Sequence, residues 1–589
     1  MNSRRHDSKR SPRRRARPEI KPAMIASQTS RRSVNRLCKI RTHFDAGHSQ
    51  EKLQLLRELN GVRVRLATEL MRLHGALCFI RAFPDTVAHF KAAHTLLMHF
   101  EERVLALSAA ERLQLDDSGI IGTPIYYAFS FEVATWMARR LGGSVSFHWE
   151  DIEEVSRLDE LLELMLLPAE ADYFDSGYVS GQEWIELASK NSGATDFHWF
   201  ITQLMQHRPN PALAQTYNAA DLSLVWDLRE AAFSKSCNIV RVGKVKARKH
   251  GMRKPSGAAH KEIKRPVDSL KKLPRRAATK LIDVAMASLA VRHRETNHFN
   301  CANPQEVYLA DVGEGISIAV FGLQHDDRFA LECTMGYLIL SNGVPVGYGG
   351  GSAVFCQINI GLNIFDEYRG SEAAFLWVQV MRVYHQLTGC TRFIANAYQF
   401  GSDNAEALQS GAFWFYYRLG YRPVVPSVRK QAQSEFSRMR DDRSYRSSLR
   451  KLRSLSSCDM HLVFPGARAS ELFEERWIET SSMLATQEIA AAGGRTRSES
   501  AKNVAARVAR DLGMRSVGNF SAAEMFGFHR IAPLVAAAKP AGWPAAAKRS
   551  MRAILRAKGG EGEAEFARLL AKNHHFLAEL RKRCRRAER

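Results

Sequence analysis

The spacing of apolar positions changes twice along the chain. From about residue 48 it runs at three and four: in EKLQLLRELNGVRVRLATEL, residues Leu53, Leu56, Leu59, Val62 and Leu66 recur at helical intervals. FPDTVAHFKAAHTLLMHFEERVLAL opens a second helix at a Pro-Asp start signal, and SFEVATWMARRLGG is a third, closed by Gly142-Gly143. EDIEEVSRLDELLELMLL and DFHWFITQLMQ continue the theme, so residues 46–234 read as a mostly helical domain with a few short strands. Near Glu306 the period drops to two. EVYLADV, GISIAVFGL, FALECTMGYLILSN and VPVGYGGGSAVFCQINIGLNIF read as strands with Gly or Asn-Gly between them. Asn342-Gly343, between YLIL and VPVGY, predicts a type I′ hairpin turn, because both residues tolerate positive φ. A helix over 371–387, the strand TRFIANAY, a helix over about 405–419 and a strand from Tyr421 follow. Helical spacing returns over 429–589, where Val504, Val508 and Leu512 stand at steps of four. The predicted fold is a multidomain α+β chain: a mixed sheet with helices, flanked by N- and C-terminal helical regions.

Charge adds detail to that outline. The chain has 589 residues and a formal net charge of +24, but the excess is concentrated. Residues 1–42 carry 14 Lys/Arg against two acids, and residues 235–280 carry 16 against two. Such blocks are usually solvated and attract polyanions. Residues 1–45 are therefore expected to be a disordered basic tail and 235–275 a basic linker, each a candidate contact for nucleic acid. The sheet domain is bounded at 276–428 and the helical C-terminal region at 429–589. Trp136, Trp149, Trp184 and Trp199 fall at core-like positions.

Nine cysteines are scattered with no CxxC pair, which fits buried thiols in a reducing compartment rather than a disulfide frame. His293, His298 and Cys301 cluster in VRHRETNHFNC, but at no metal-ligand spacing, and no metal is expected. The N-terminus has no apolar core for a secretory signal, and no apolar run reaches the length of a membrane span, so a cytoplasmic location is expected.

One joint carries candidate chemistry. The strand ending in NIF leads into Tyr368-Arg369-Gly370-Ser371-Glu372-Ala373-Ala374 and then a helix. A helix N-terminus offers unpaired N–H groups and partial positive charge, which can hold a phosphate. Ser371 as a cap, with Glu372 complementing the helix dipole, would equally make this an ordinary strand-to-helix joint.

Three features together resemble the GNAT superfamily of acyl-CoA-dependent N-acyltransferases, over about residues 306–425. They are the GVPVGYGGG hairpin before the strand FCQINIGLNIF, the turn 368–374, and the ending Tyr416-Tyr417-Arg418-Leu419-Gly420-Tyr421. The family's turn reads Arg/Gln-x-x-Gly-x-Gly/Ala. Arg369 and Ala374 match its ends, and Glu372 replaces its middle Gly. The resemblance implies acetyl-CoA or another acyl-CoA as co-substrate. Its pyrophosphate would lie on Arg369, Gly370, Ser371, Ala373 and Ala374. Its pantetheine arm would pair with free backbone groups at Leu362, Asn363 and Ile364, where TRFIANAY splays away. Asn404-x-x-Ala407 matches a further family motif and adds Asn404. Tyr416 falls at the family's general acid, which protonates the leaving thiolate. No strand carboxylate is an obvious base: Gln357 and Asn359 occupy the strand, and the candidates are Glu332, on an earlier strand, and, equally, a chain of water. The function implied is acyl transfer to an unidentified amine. Two alternatives stand beside it: a transferase of the same fold that takes its group from aminoacyl-tRNA, and a non-catalytic binding module.

Overall fold

The computed structural model describes residues 22–589 except 153–154, 208–209, 230, 249–250, 256–257, 371 and 515. Residues 1–21 of the basic tail lie outside the described residues. The rest of that tail is not disordered: Pro22–Ile40 is a helix whose Val34, Leu37 and Ile40, three residues apart, are buried against the helix Ala67–Ala82. Its charges had masked one apolar stripe. The helical part continues to about residue 220. It carries a small antiparallel sheet in the order β1-β3-β2, from Pro124–Tyr127 (β1), Val145–Phe147 (β2) and Leu224–Asp227 (β3).

Ten strands form the second, large sheet. They are Ser269–Lys272 (β4), Ala302–Asp311 (β5), Ile316–Leu323 (β6), Cys333–Ser341 (β7), Val344–Val354 (β8), Gln357–Ile360 (β9), Asn363–Ile364 (β10), Arg392–Ala395 (β11), Arg422–Pro423 (β12) and Met460–Val463 (β13). The order is β12-β13-β11-β9-β8-β7-β6-β5-β4, and β10 also pairs with β8. Only β9 and β11 run parallel, joined by the crossover helix Ala373–Thr388; the other pairs are antiparallel. The mixed sheet with helices thus stands as expected. Asn342 and Gly343 adopt φ of 48° and 80°, as a type I′ turn requires.

Two boundaries move. β4 lies inside the expected linker, and β13 lies in the region read as purely helical. β13 slots between β11 and β12 because Met460, Leu462 and Phe464 alternate as buried residues. The basic segment 235–275 is also not a solvated spacer. Val240 N–H donates to Gly343 O at 2.8 Å, and Lys246 N–H to Asn342 Oδ1 at 2.8 Å. Arg248 N–H donates to Pro84 O at 2.7 Å. The segment straps the helical part onto the tip of the β7–β8 hairpin. Two of its cations are matched by distant acids: Lys235 with Glu367 and Arg248 with Glu372. The C-terminal helices cover the sheet from the other end. Gln357 receives the Phe473 N–H and donates to its carbonyl, at 2.9 and 2.7 Å.

Candidate functional site

β8 pairs with β9 and β10 in one unbroken register, Gly351 with Ile360, Tyr348 with Asn363 and Gly347 with Ile364. β11 leaves that strand early: its pairing stops at Ile394 opposite Asn359. From Ile360 to Ile364 the strand therefore keeps one neighbour and loses the other. Gly361 N–H donates to Gly350 O and Phe365 N–H to Val346 O, so the odd positions face β8. By alternation Ile360, Leu362 and Ile364 present their backbone groups to the gap. Of the three expected backbone contacts, Leu362 and Ile364 are placed for that role, whereas Asn363 is turned to β8.

Gln399 stands in the gap. Its Nε2 donates to Ile360 O at 3.0 Å, and its Oε1 accepts the Tyr416 hydroxyl at 2.7 Å. The side-chain amide comes from a 3-10 turn, Ala397–Phe400, that follows β11. Tyr416 itself is only 4% exposed and packs edge-on against Trp377, Phe400 and Tyr421. Burial pushes its phenol well above the usual value, so it carries its proton at neutral pH. The expected helix over 405–419 is two, Ala405–Ser410 and Ala412–Arg418, broken where Gly411 takes φ 67°. Asn404 caps the first of them, accepting from Ala407 N–H at 3.0 Å, which explains its Asn-x-x-Ala spacing by local geometry.

Beyond the gap lies the N-terminus of the helix Ala373–Thr388. Arg369 and Gly370 are exposed, and Ala373, Ala374 and Phe375 are half-buried. Among the described residues no acceptor receives the N–H groups of these last three. Ser371 lies outside the described residues, and the helix begins after Glu372. Glu372 neither caps the helix nor turns to solvent. It is 2% exposed, with Arg248 at 2.6 Å and the Arg253 N–H donating at 2.9 Å. Burial pushes its carboxyl up in pKa, and Arg248 works against that. Its charge is therefore answered from the strap and is withdrawn from the surface of the turn. Arg369 pairs with Asp366 at 2.9 Å and, across the gap's mouth, with Glu406 at 2.7 Å.

A cavity of about 590 Å³ opens on the sheet face that bears Gln357 and Asn359. Glu332 lines it. Five further ionisable groups meet there with it: His298, which the sequence set only in a cluster without metal-ligand spacing, and Asp459, His461, Glu474 and Glu475, which sequence reasoning missed. Together with Glu332 they come from four separate segments, so no local spacing announced the set. The outward positions of β13 and the acidic run Glu474-Glu475 were the only available signals. No Lys or Arg lines this cavity, although the chain is strongly cationic. Burial, with Glu475 nearby, raises the Glu332 carboxyl, and burial likewise raises Asp459. Burial, helped by Arg392 and Arg429, holds the His461 imidazole down to about 4, and burial also lowers His298. Both rings are thus neutral near pH 7. Asn359 and Ile394, the last paired residues before the strands part, line the same cavity, whereas Tyr416 does not. Among the described residues, no group of three or more His, Cys, Asp or Glu is arranged to hold a metal ion. No helix among them is long and apolar enough to cross a membrane.

Comparison with protein-family models, with curated proteins and with solved structures found no match for this chain.

Proposed function

We propose that this chain transfers an acyl group from an acyl-CoA thioester to an amine, by direct attack of the amine on the thioester carbonyl. The observation that carries the reading is the strand from Ile360 to Ile364, which loses its β11 neighbour and leads to the N-terminus of the helix Ala373–Thr388. A crevice at the carboxyl ends of parallel strands, with N–H groups at its far end, suits an extended amide-bearing arm and an anionic head group. In this reading the arm displaces the Gln399 amide from Ile360 O, which offers it the same kind of hydrogen bond. Diphosphate lies on the N–H groups of 373–375 and draws Arg369 from Glu406.

The amine enters from the cavity beside Asn359. Its carboxylates attract an ammonium, and Glu332, whose pKa is raised, takes the proton that makes the amine nucleophilic. The new C–N bond forms as the C–S bond breaks. The departing thiolate receives its proton from Tyr416 once Gln399 has moved. A second reading, a non-catalytic module, draws on one observation: Tyr416 and Gln399 close the gap as a complete hydrogen-bonded chain. The aminoacyl-tRNA reading loses part of its support, because Lys235 and Arg248 of the basic segment are committed to internal ion pairs.

Acetyl-CoA titrated into the full chain tests the choice. Binding at micromolar affinity, with a raised melting temperature, is expected, since a ligand that binds only the native state stabilises it. No shift at millimolar acetyl-CoA overturns acyl transfer and leaves the binding module. Tyr416→Phe is expected to bind acetyl-CoA normally and turn over about a hundredfold more slowly.

A further inference from the structure

Three glycines line up across adjacent strands on the sheet face that bears the 590 Å³ cavity. Gly336 of β7 pairs with Gly350 of β8, and Gly361, just past β9, donates its N–H to Gly350 O at 3.3 Å. Gly350 shares its face with Ser352 and Val354, and Gly361, by alternation, with Gln357 and Asn359. One whole row of the sheet therefore lacks side chains. The row ends where β11 has left its neighbour, at the strand gap.

His298 fills this trough. A Cβ on Gly336 would lie 2.6 Å from His298 Cβ, and one on Gly350 would lie 2.3 Å from its Nε2. Both contacts are closer than real side chains approach, so the ring lies there only because both positions are glycine. It runs from β7 toward β8, in the direction of the gap. A Cβ on Gly361 would meet Gln399 Nε2 at 3.4 Å, so Gln399 holds the next place along the row. His298 is half-buried and borders the cavity. Among the described residues neither of its ring nitrogens has a hydrogen-bond partner, yet neither is sealed from the cavity. A ring placed for packing alone would leave two polar atoms unpaired for no return.

Acyl transfer leaves one proton without a taker. An ammonium sheds two protons in becoming an amide, and Glu332 accepts only the first. We propose that His298 is a second catalytic base, whose Nε2 takes the proton released as the C–N bond forms; this rests on the acyl-transfer reading above. The amine nitrogen lies over Gly361, in the place that Gln399 leaves, one strand spacing (about 4.8 Å) from Gly350. It reaches Nε2 on one side and the thioester carbonyl in the gap on the other. Its lone pair forms the bond to carbon, it becomes cationic, and it passes its extra proton to Nε2. The C–S bond breaks, its electron pair leaves on sulfur, and sulfur takes the Tyr416 proton. Of the two protons then on Glu332 and His298, one returns to Tyr416 and one goes to water. Burial lowers the ring's pKa, so it starts neutral near pH 7 and free to accept.

Thiol release from acetyl-CoA by the full chain is the assay, with water alone and with 1,4-diaminobutane as nucleophile. Water also loses a proton as it attacks, so the first arm needs no knowledge of the true acceptor. His298→Gln is expected to bind acetyl-CoA as the native chain does, by calorimetry, and to release thiol about a hundredfold more slowly. His298→Ala, which empties the trough, is expected to be equally slow and to regain rate in millimolar imidazole, beyond any effect of imidazole on the native chain. Native rates in His298→Gln overturn the proposal and leave acyl transfer standing. So does a His298→Ala chain that imidazole does not restore, since the ring would then be structural. A native chain that binds no acetyl-CoA removes the acyl-transfer reading itself, and this proposal with it.

Discussion

Glu372 shows how far a single position can mislead when read alone. In the turn sequence it looks like a charge set against phosphate. In the fold its carboxylate belongs to Arg248, which also stacks over the Phe83 ring at 5.2 Å. Exchanging it for a smaller or neutral residue should therefore not improve coenzyme binding. Glu372→Gln is expected to cost about 3 kcal/mol of stability, because it strands a buried guanidinium; chemical denaturation measures this. Glu332 carries the complementary expectation at the cavity. A base must be unprotonated, so kcat/KM should fall as pH drops through its raised pKa. In Glu332→Gln that acid limb should vanish and the rate drop about a hundredfold. A Gln variant with the native pH profile would assign the proton to another group. Tyr416 was legible from its place in the Tyr-x-x-Leu-Gly ending. Gln399, its partner, was not, because the side chain's importance comes from a strand gap that no one-dimensional spacing reports.

At the level of elements, periodicity identified the antiparallel strands, their hairpin and the crossover helix, because each is long and has one consistently buried face. It failed where an element is short or disguised. β13 has four residues in a polar surround, and its burial depends on β11 and β12, which lie well before it in sequence. The strap was hidden by its own charge, since its acidic partners lie more than a hundred residues away. The hairpin offers a direct test of that packing. A Cβ at Gly343 would sit 1.9 Å from Val240 O, on a backbone at φ 80°. Gly343→Ala is thus expected to cost at least about 2 kcal/mol, more than turn strain alone, as read by urea unfolding. A loss under 1 kcal/mol would mean the strap yields easily and contributes little to the docking.

Across the whole molecule, the junction between the helical part and the sheet is built from buried ionisable groups, and this sets its response to acid. Burial opposes ionisation of Glu367, but Arg292 and Lys235 outweigh it and bring its carboxyl down to about 2, from an ordinary 4.5. Its contribution is present above pH 4.5 and is lost as pH falls toward 2. Burial holds His74 at about 3, against 6.5. The unfolded chain accepts that proton first, so the native state loses ground from pH 6.5 downward. Melting temperature should therefore decline below about pH 6.5 and more steeply below 4.5, and His74→Gln should flatten the upper part. The strap has a practical corollary. Anyone dividing this gene into independently expressed pieces would choose the lysine- and arginine-rich stretch around 240–255 as the seam. A cut there would sever the fastening between the halves, uncovering the hairpin tip on one fragment and Phe83 with Pro84 on the other. Both products should aggregate, whereas co-expressed fragments with an overlap across that stretch should reassemble.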